Sequence, residues 1–268
     1  MTKLKTIGTH LFLGIASFLS IFPFVWMIIG MTNTSSDITK GKMTFGNALF
    51  SNIQELVKTV DLGSVLWMSA KIAIIGTVVT LLLCSMAGYA FEIYKTKAKD
   101  RIMSALMLSM MMPFAAVMIP LFKMFGKANL LNTSTAVILP SLATAFIIFF
   151  FLQNTKSFPK EILQAARVDG LTEAQAFFYM YMPTMKSTYA AAAIIVFMGY
   201  WNNFLWPLLV LQSQDKKTMP LIISSLASAY NPNYGIIMVA IVITTIPTAL
   251  LFFLMQKHFV EGMVGSVK

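Results

Sequence analysis

The chain has 268 residues, of which 57% are hydrophobic and only 11% charged, with a mean hydropathy of +0.76. A soluble domain carries about 25% charged residues, so little of this surface meets water and the composition is that of an integral membrane protein. The formal charge of +10 does not point to nucleic acid, because the lysines flank apolar runs and no basic cluster carries interleaved aromatics or a recognition motif.

A helix needs about 20 apolar residues to cross the hydrocarbon core, and six segments, near 10–31, 69–92, 103–125, 134–154, 188–211 and 235–257, are long enough. The first follows Lys3 and Lys5 but is too long for a signal-peptide core. It contains Pro23 and Trp26 and lacks a small-x-small cleavage site, so it reads as a retained first span. Lys and Arg are unevenly shared between the two sides. The termini and the segments around 95–101 and 156–186 hold twelve, and the alternate segments hold eight. That bias places both termini and the 155–187 loop in the cytoplasm, and the 212–234 loop outside.

Cys84, the single cysteine, lies in an apolar run and excludes an intrachain disulfide; it reads as a small packing residue. Small residues at Ser85, Ala87, Gly88 and Ala90, and at Ala190 to Ala193, suit close helix contact. Pro113, Pro120, Pro140, Pro207 and Pro247 fall in or near spans, where neighbouring helices can satisfy the freed carbonyls, so each is either a kink or an ordinary membrane-helix proline. Met107 and Met110 to Met112 crowd the third span and read as adaptable packing. Ionisable residues are almost absent from span centres; Glu92, Lys71 and Lys123 fall near span ends. Carriers driven by ion gradients usually place charge inside the membrane, so any work done by this chain must arrive from outside the bilayer. No G-x-x-x-x-G-K-[ST] loop is present, and His10 and His258 stand at opposite ends, which leaves no P-loop, H-E-x-x-H site or His-based triad.

The most informative stretch is Pro159 to Lys186. Pro159 and Glu161 suit the first turn of a helix. Ile162, Leu163, Ala165, Ala166 and Val168 follow at helical spacing, and Asp169-Gly170 is a stop signal. Thr172-Glu-Ala-Gln175 reads as a capping box that opens a second helix, which Pro183 limits. This helix–turn–helix is too small to be a domain and has the form of an element that docks onto another protein. Further on, Trp201, Asn202, Asn203, Phe204, Trp206 and Pro207 place amides and large rings toward the outer half of the fifth span. The rings fit an interfacial belt or a pathway; the amides either bond a neighbouring helix or line a polar passage. The loop that follows ends in Asn231-Pro232-Asn233-Tyr234-Gly235, a turn-forming tip that is either a probe of a partner or a connector.

Gln164-Ala-Ala-Arg-Val-Asp-Gly-Leu171, followed by Met180, Met182 and Pro183, resembles the EAA loop of ABC importer membrane subunits. Together with six spans, the Trp-Asn-x-Phe-Leu-Trp-Pro stretch and the FVEGMVGSVK ending, the chain is similar over nearly its whole length to the MalG-type permeases of carbohydrate importers. The resemblance implies an all-α integral membrane fold of six transmembrane helices, forming one permease domain with a cytoplasmic coupling loop. It implies a non-enzymatic subunit of an ATP-driven sugar importer in the plasma membrane of a prokaryote. Its partners would be membrane lipid, a second related permease, a dimer of cytoplasmic ABC ATPases that bind the ATP and Mg, and an extracytoplasmic sugar-binding protein; this chain itself would hold no cofactor. The resemblance assigns ATPase coupling to Glu161, Gln164, Ala165, Ala166, Asp169, Gly170 and Pro183. It assigns contact with the binding protein to Asn231–Gly235, and an approach to the ATPases to the tail Glu261–Lys268. Trp201, Asn202, Asn203 and Trp206 are candidates for the pathway. Gln164 replaces the motif's first Glu, and Glu161, one turn earlier, could stand in for it. The alternatives are an importer of another solute such as glycerol phosphate or a peptide, or a membrane scaffold whose loop only recruits a partner.

Overall fold

The computed structural model describes the backbone of residues 2–264 and the side chains of residues 6–257. The side chains of the predicted ATPase-facing tail Glu261–Lys268 fall outside them. Every regular element among the described residues is helical. The first helix, α1 (Thr2–Gly30), is followed by the short α2 (Ser35–Thr39), whose first turn is capped by Thr34 accepting from the Asp37 amide, and by the amphipathic α3 (Leu49–Thr59). Helix α4 (Leu62–Ile93) is longer than the 69–92 segment expected, beginning at Leu62. Thr96 caps α5 (Lys97–Ser109), and the Lys99 ammonium folds back onto the Ala90 and Tyr94 carbonyls at 3.1 and 2.7 Å, satisfying the end of α4.

The predicted 103–125 segment is not one straight helix. It is divided between α5 and α6 (Phe114–Lys127), which meet at 99°. Pro113 lacks an N–H and keeps the residue before it from helical geometry. The amides of Met110, Met111 and Met112 therefore turn to carbonyls three residues back, tightening the turn before the break. The 134–154 segment is divided in the same way. Helix α7 (Ser134–Ile138) runs into a 3₁₀ turn over Leu139–Ser141 containing Pro140, and α8 (Ala145–Thr155) leaves at 47°. The break is tolerated because α4 supplies donors: Thr80 Oγ1 bonds the Ser141 carbonyl at 3.3 Å and Cys84 Sγ the Leu142 carbonyl at 3.6 Å.

The 155–187 region forms α9 (Lys160–Val168), α10 (Glu173–Gln175), a π-helical turn over Ala176–Tyr181, and α11 (Met182–Thr184). Then come α12 (Lys186–Trp201), α13 (Leu205–Val210), α14 (Met219–Ala227) and α15 (Tyr234–Val264). By length and composition, four helical stretches can cross a membrane: Thr6–Gly30, Leu62–Ile93, Lys186–Val210 and Tyr234–Lys257. Among the described residues the number rises to six if each bent pair is one span.

The chain divides into two compact units, one of residues 1–62 and 219–247 and the other of residues 63–218 and 248–268. In the second unit the small residues work as close-contact points. A Cβ on Gly88 would stand 2.6 Å from Phe151 and 2.8 Å from the Leu152 amide, so α4 and α8 meet backbone to backbone. Ala190, Ala191 and Ala192 are likewise buried on α12. Trp206 is 1% exposed, sits edge-on to Phe114 and Phe125, and donates its indole N–H to the Ala136 carbonyl at 2.8 Å.

Candidate functional site

The turn chemistry of the 155–187 segment closes at each step. Gly170 takes φ +81°, and the Gly170 and Leu171 amides bond the Arg167 and Ala166 carbonyls at 3.1 and 3.0 Å. These two bonds form a Schellman motif and end α9. Two residues on, the Thr172 amide donates to Gln175 Oε1 at 2.8 Å and the Gln175 amide to Thr172 Oγ1 at 3.4 Å, the capping box expected from the sequence. Pro183 does not end the second helix. The Met182 amide bonds Phe177, five residues back, and the widened turn makes room for the proline ring, so the helical run continues to Thr184.

Beneath this backbone lies an aromatic core. Leu163, Ala166, Ala176, Phe177, Tyr181 and Met185 pack with Phe158 and with Tyr89 of α4. Tyr181 stacks on Phe177 at 5.3 Å and meets Tyr89 edge-on at 4.9 Å. Its hydroxyl shares a 2.6 Å hydrogen bond with Thr155 Oγ1, and burial pushes its phenol well above the ordinary range. Leu171, in the place after Gly170, packs partly buried against this core, as the apolar residue of a Schellman turn does.

Two polar straps join α9 to the end of α4. At its start, Lys160 Nζ pairs with Glu92 Oε1 at 3.0 Å, the Glu92 side chain being 10% exposed and that of Lys160 52%. At its end, Arg167 Nε bonds Glu173 Oε1 at 2.8 Å, and Arg167 Nη2 reaches Glu173 Oε2 at 3.3 Å and the Tyr94 hydroxyl at 3.4 Å. Tyr94 also donates to Glu173 Oε2. The Arg167 guanidinium, with Tyr94, holds the Glu173 carboxyl below the usual carboxylate range, and the Tyr94 phenol is raised by burial and by its bond to that carboxylate. None of these partners was assigned a role from the sequence. Glu92 reads as a span-end charge until Lys160 is placed beside it, 68 residues away in the chain.

The apolar residues of α9 do not share one face. Leu163 and Ala166 point inward, while Glu161, Gln164, Ala165 and Val168 lie exposed at spacing i, i+3, i+4, i+7. Val168 is 87% exposed, and a Cβ on Gly170 would meet nothing within 4 Å. Of the predicted coupling residues, then, Glu161, Gln164, Ala165, Asp169, Gly170 and Pro183 are presented outward and Ala166 belongs to the core. Exposed Val168 and Tyr179 join the outward set.

Of the candidate pathway residues, Trp201 and Trp206 are buried, and Asn202 and Asn203 occupy the break between α12 and α13, Asn202 exposed and Asn203 half-buried. They do not line the nearby cavity of about 250 Å³, which is bounded by Thr80, Ser141, Thr144, Phe146 and Tyr200 among others. Tyr200, absent from the predicted set, shares a 3.0 Å hydrogen bond with Thr80 there. In the first unit, Asn233 begins α15: its Oδ1 accepts from the Gly235 and Ile236 amides, and its Nδ2 donates to Glu55 at 3.3 Å. Ser35 bonds the Pro232 carbonyl and accepts from the Tyr234 amide. Asn231 and Tyr234 are exposed, as is neighbouring Tyr230, while Gly235 is buried against Asn52.

Helices apolar and long enough to cross a bilayer thus carry a loop closed by its own turns, with one side exposed. Residues 85–265 match the model of the binding-protein-dependent transport system inner membrane component family, and the chain belongs to that family. It is 56% identical to the lactose transport system permease protein LacG of Rhizobium radiobacter, over 99% of this chain and 97% of that protein. It is 35% identical to the arabinooligosaccharides transport system permease protein AraQ of Halalkalibacterium halodurans, over 100% of this chain and 97% of that protein. Its fold is similar to that of a chain in the crystal structure of a bacterial ABC transporter involved in the import of the acidic polysaccharide alginate. The TM-score is 0.85 at 18% identity, covering 96% of this chain and 97% of that one.

Proposed function

We propose that this chain is the membrane-spanning permease subunit of an ATP-driven importer of a sugar or oligosaccharide, worked through its 155–187 loop. The observation that carries the coupling role is the loop's two-sidedness. One face of α9 is fixed to α4 through a shared aromatic core and two polar straps, and the other presents Glu161, Gln164, Ala165 and Val168 to a partner. A push on the outer face is then delivered to a helix long enough to cross the bilayer. Identity of 56% along the whole of a lactose permease supports a sugar as cargo.

In this reading the partners are a second related permease, a dimer of cytoplasmic ABC ATPases that bind the ATP and Mg, and an extracytoplasmic sugar-binding protein met by Asn231–Gly235. The membrane is the plasma membrane of a prokaryote, with both chain termini and the coupling loop in the cytoplasm. Asn202 and Asn203, at a helix break, are the polar groups of the pathway candidates. Reconstitution of the full complex in sealed vesicles tests the proposal. Lactose and a panel of oligosaccharides should enter only with ATP and the binding protein. ATP hydrolysis stimulated by the binding protein without entry of any sugar would overturn it.

A further inference from the structure

Helix α3 has three distinct sides. Asn52 and Leu56 are buried, and the Asn52 amide nitrogen donates to the Met31 and Asn33 carbonyls at 2.9 and 3.0 Å. Immediately before the helix, the Ala48 amide bonds the Thr32 carbonyl at 2.8 Å, the Gly46 amide bonds Thr32 Oγ1 at 2.9 Å, and Asn33 Nδ2 bonds the Thr44 carbonyl at 2.8 Å. These bonds fix α3 to the three residues that follow α1. A second side carries Ser51, Gln54 and Lys58, all exposed. The third carries Phe50, Ile53 and Val57 at spacing i, i+3, i+7, exposed at 78%, 38% and 56%.

We propose that α3 is an interfacial helix, with the Phe50–Ile53–Val57 side seated in the lipid headgroup layer of the leaflet from which α1 emerges. Its depth argues for lipid. The 29 residues of α1 rise about 43 Å at 1.5 Å per residue, the thickness of a bilayer with its headgroups, so the end to which α3 is stitched lies at the membrane–water boundary. The division of α3 into packed, polar and apolar sides is also what a helix lying along an interface requires. The packed and polar sides hold the 231–235 tip, through Asn52 against Gly235 and Glu55 bonded to Asn233, so lipid would set the height of that tip. The inference rests on α1 crossing the bilayer and is independent of the cargo.

Nitroxide labels at Phe50→Cys, Ile53→Cys and Val57→Cys, and at Gln54→Cys and Lys58→Cys, in the full complex in lipid nanodiscs, test it. Cys84 is buried, and the labelled parent protein reports any background from it. The ratio of collisions with oxygen to collisions with a water-soluble nickel chelate should be several-fold higher at positions 50, 53 and 57 than at 54 and 58. Equal ratios would show the stripe standing in water, and low collision rates with both reagents would show it covered by protein; either result overturns the proposal. Phe50→Trp, a milder change, gives a second reading: its added emission should be quenched by phospholipids brominated near the headgroup, and a lack of quenching refutes the lipid seat.

Discussion

Reversing the charges of Glu92 and Lys160, singly and together, asks whether α9 moves as an extension of α4. The Glu92 carboxylate is nearly enclosed and has one ionic partner, at 3.0 Å. Removing the partner of a fully buried charge costs about 3–5 kcal/mol, but half of the Lys160 side chain is exposed and water screens the pair. A cost of about 1–2 kcal/mol is therefore expected, between the surface and buried limits and nearer the surface one. That corresponds to about a 5- to 30-fold loss of the strapped arrangement. In vesicles holding the full complex, Glu92→Lys or Lys160→Glu should raise the ATP hydrolysed per sugar imported, with the ATPase still bound. The double reversal should recover a large part of the loss, since the opposite charges again face each other. If the double variant is no better coupled than the worse single one while the complex remains assembled, the pair is not a strap and the reasoning fails.

Substitutions at four further positions separate shape from contact. Gly170 adopts a left-handed conformation with open space around its Cβ position, so Gly170→Asn should keep most uptake while Gly170→Val should lose it, because left-handed geometry costs a β-branched residue about 1–2 kcal/mol whereas Asn offsets much of that cost by local side-chain hydrogen bonding; equal damage from both would place the sensitivity in the docked surface instead. Val168→Asp removes no packing from the chain but should weaken binding of the purified ATPase to permease in nanodiscs by roughly 10-fold, the value of about one buried valine discounted for imperfect burial; unchanged affinity removes Val168 from the docking face. The Glu173 carboxyl is depressed by Arg167 and Tyr94, so its contribution is present above its unfolded value of about 4.3 and is lost as pH falls through the folded value. Hydrogen exchange at the Leu171 amide, corrected for intrinsic rate, should therefore be flat through neutral pH and accelerate in acid, and Glu173→Gln should exchange faster at neutral pH with the acid step removed. Trp206→Phe should lower the thermal midpoint through loss of the hydrogen bond to Ala136, worth about 1 kcal/mol, and leave sugar dependence of uptake unchanged; altered sugar dependence at an unchanged midpoint would return Trp206 to the pathway.

Local chemistry is what can be read from this sequence, and the site shows where such reading stops. The Gly170 turn and the Thr172–Gln175 box depend only on residues within five positions of each other, so their bonds could be anticipated from the sequence. Membrane character likewise follows from composition alone. The breaks at Pro113 and Pro140 are different, because a proline in a membrane helix kinks or not according to the donors its neighbours offer, and those at the second break, Thr80 and Cys84, come from another helix. The Trp201–Pro207 stretch shows the same limit: a tryptophan reads alike as belt, pathway or core until the Ala136 carbonyl is found against its N–H.

The straps lie furthest from the sequence, and for the same reason they bear most directly on function. Lys160 looks like one more cytoplasmic lysine and Glu92 like a charge reaching out from a span end. Only their adjacency, at 3.0 Å, shows that they join α9 to α4. Arg167 sits within the motif and its positive charge invites assignment to the partner, yet, exposed as it is, it is bonded within the loop to Glu173 and to Tyr94. The outward face is left to short or uncharged side chains, Gln164, Ala165 and Val168, with Glu161 the one charge at that spacing. Gln164, in place of a glutamate, lies exposed on this face, apart from the residues that make the two straps. If the loop works as proposed, the straps join α9 to the end of α4 and the residues left for a partner are those of the exposed face.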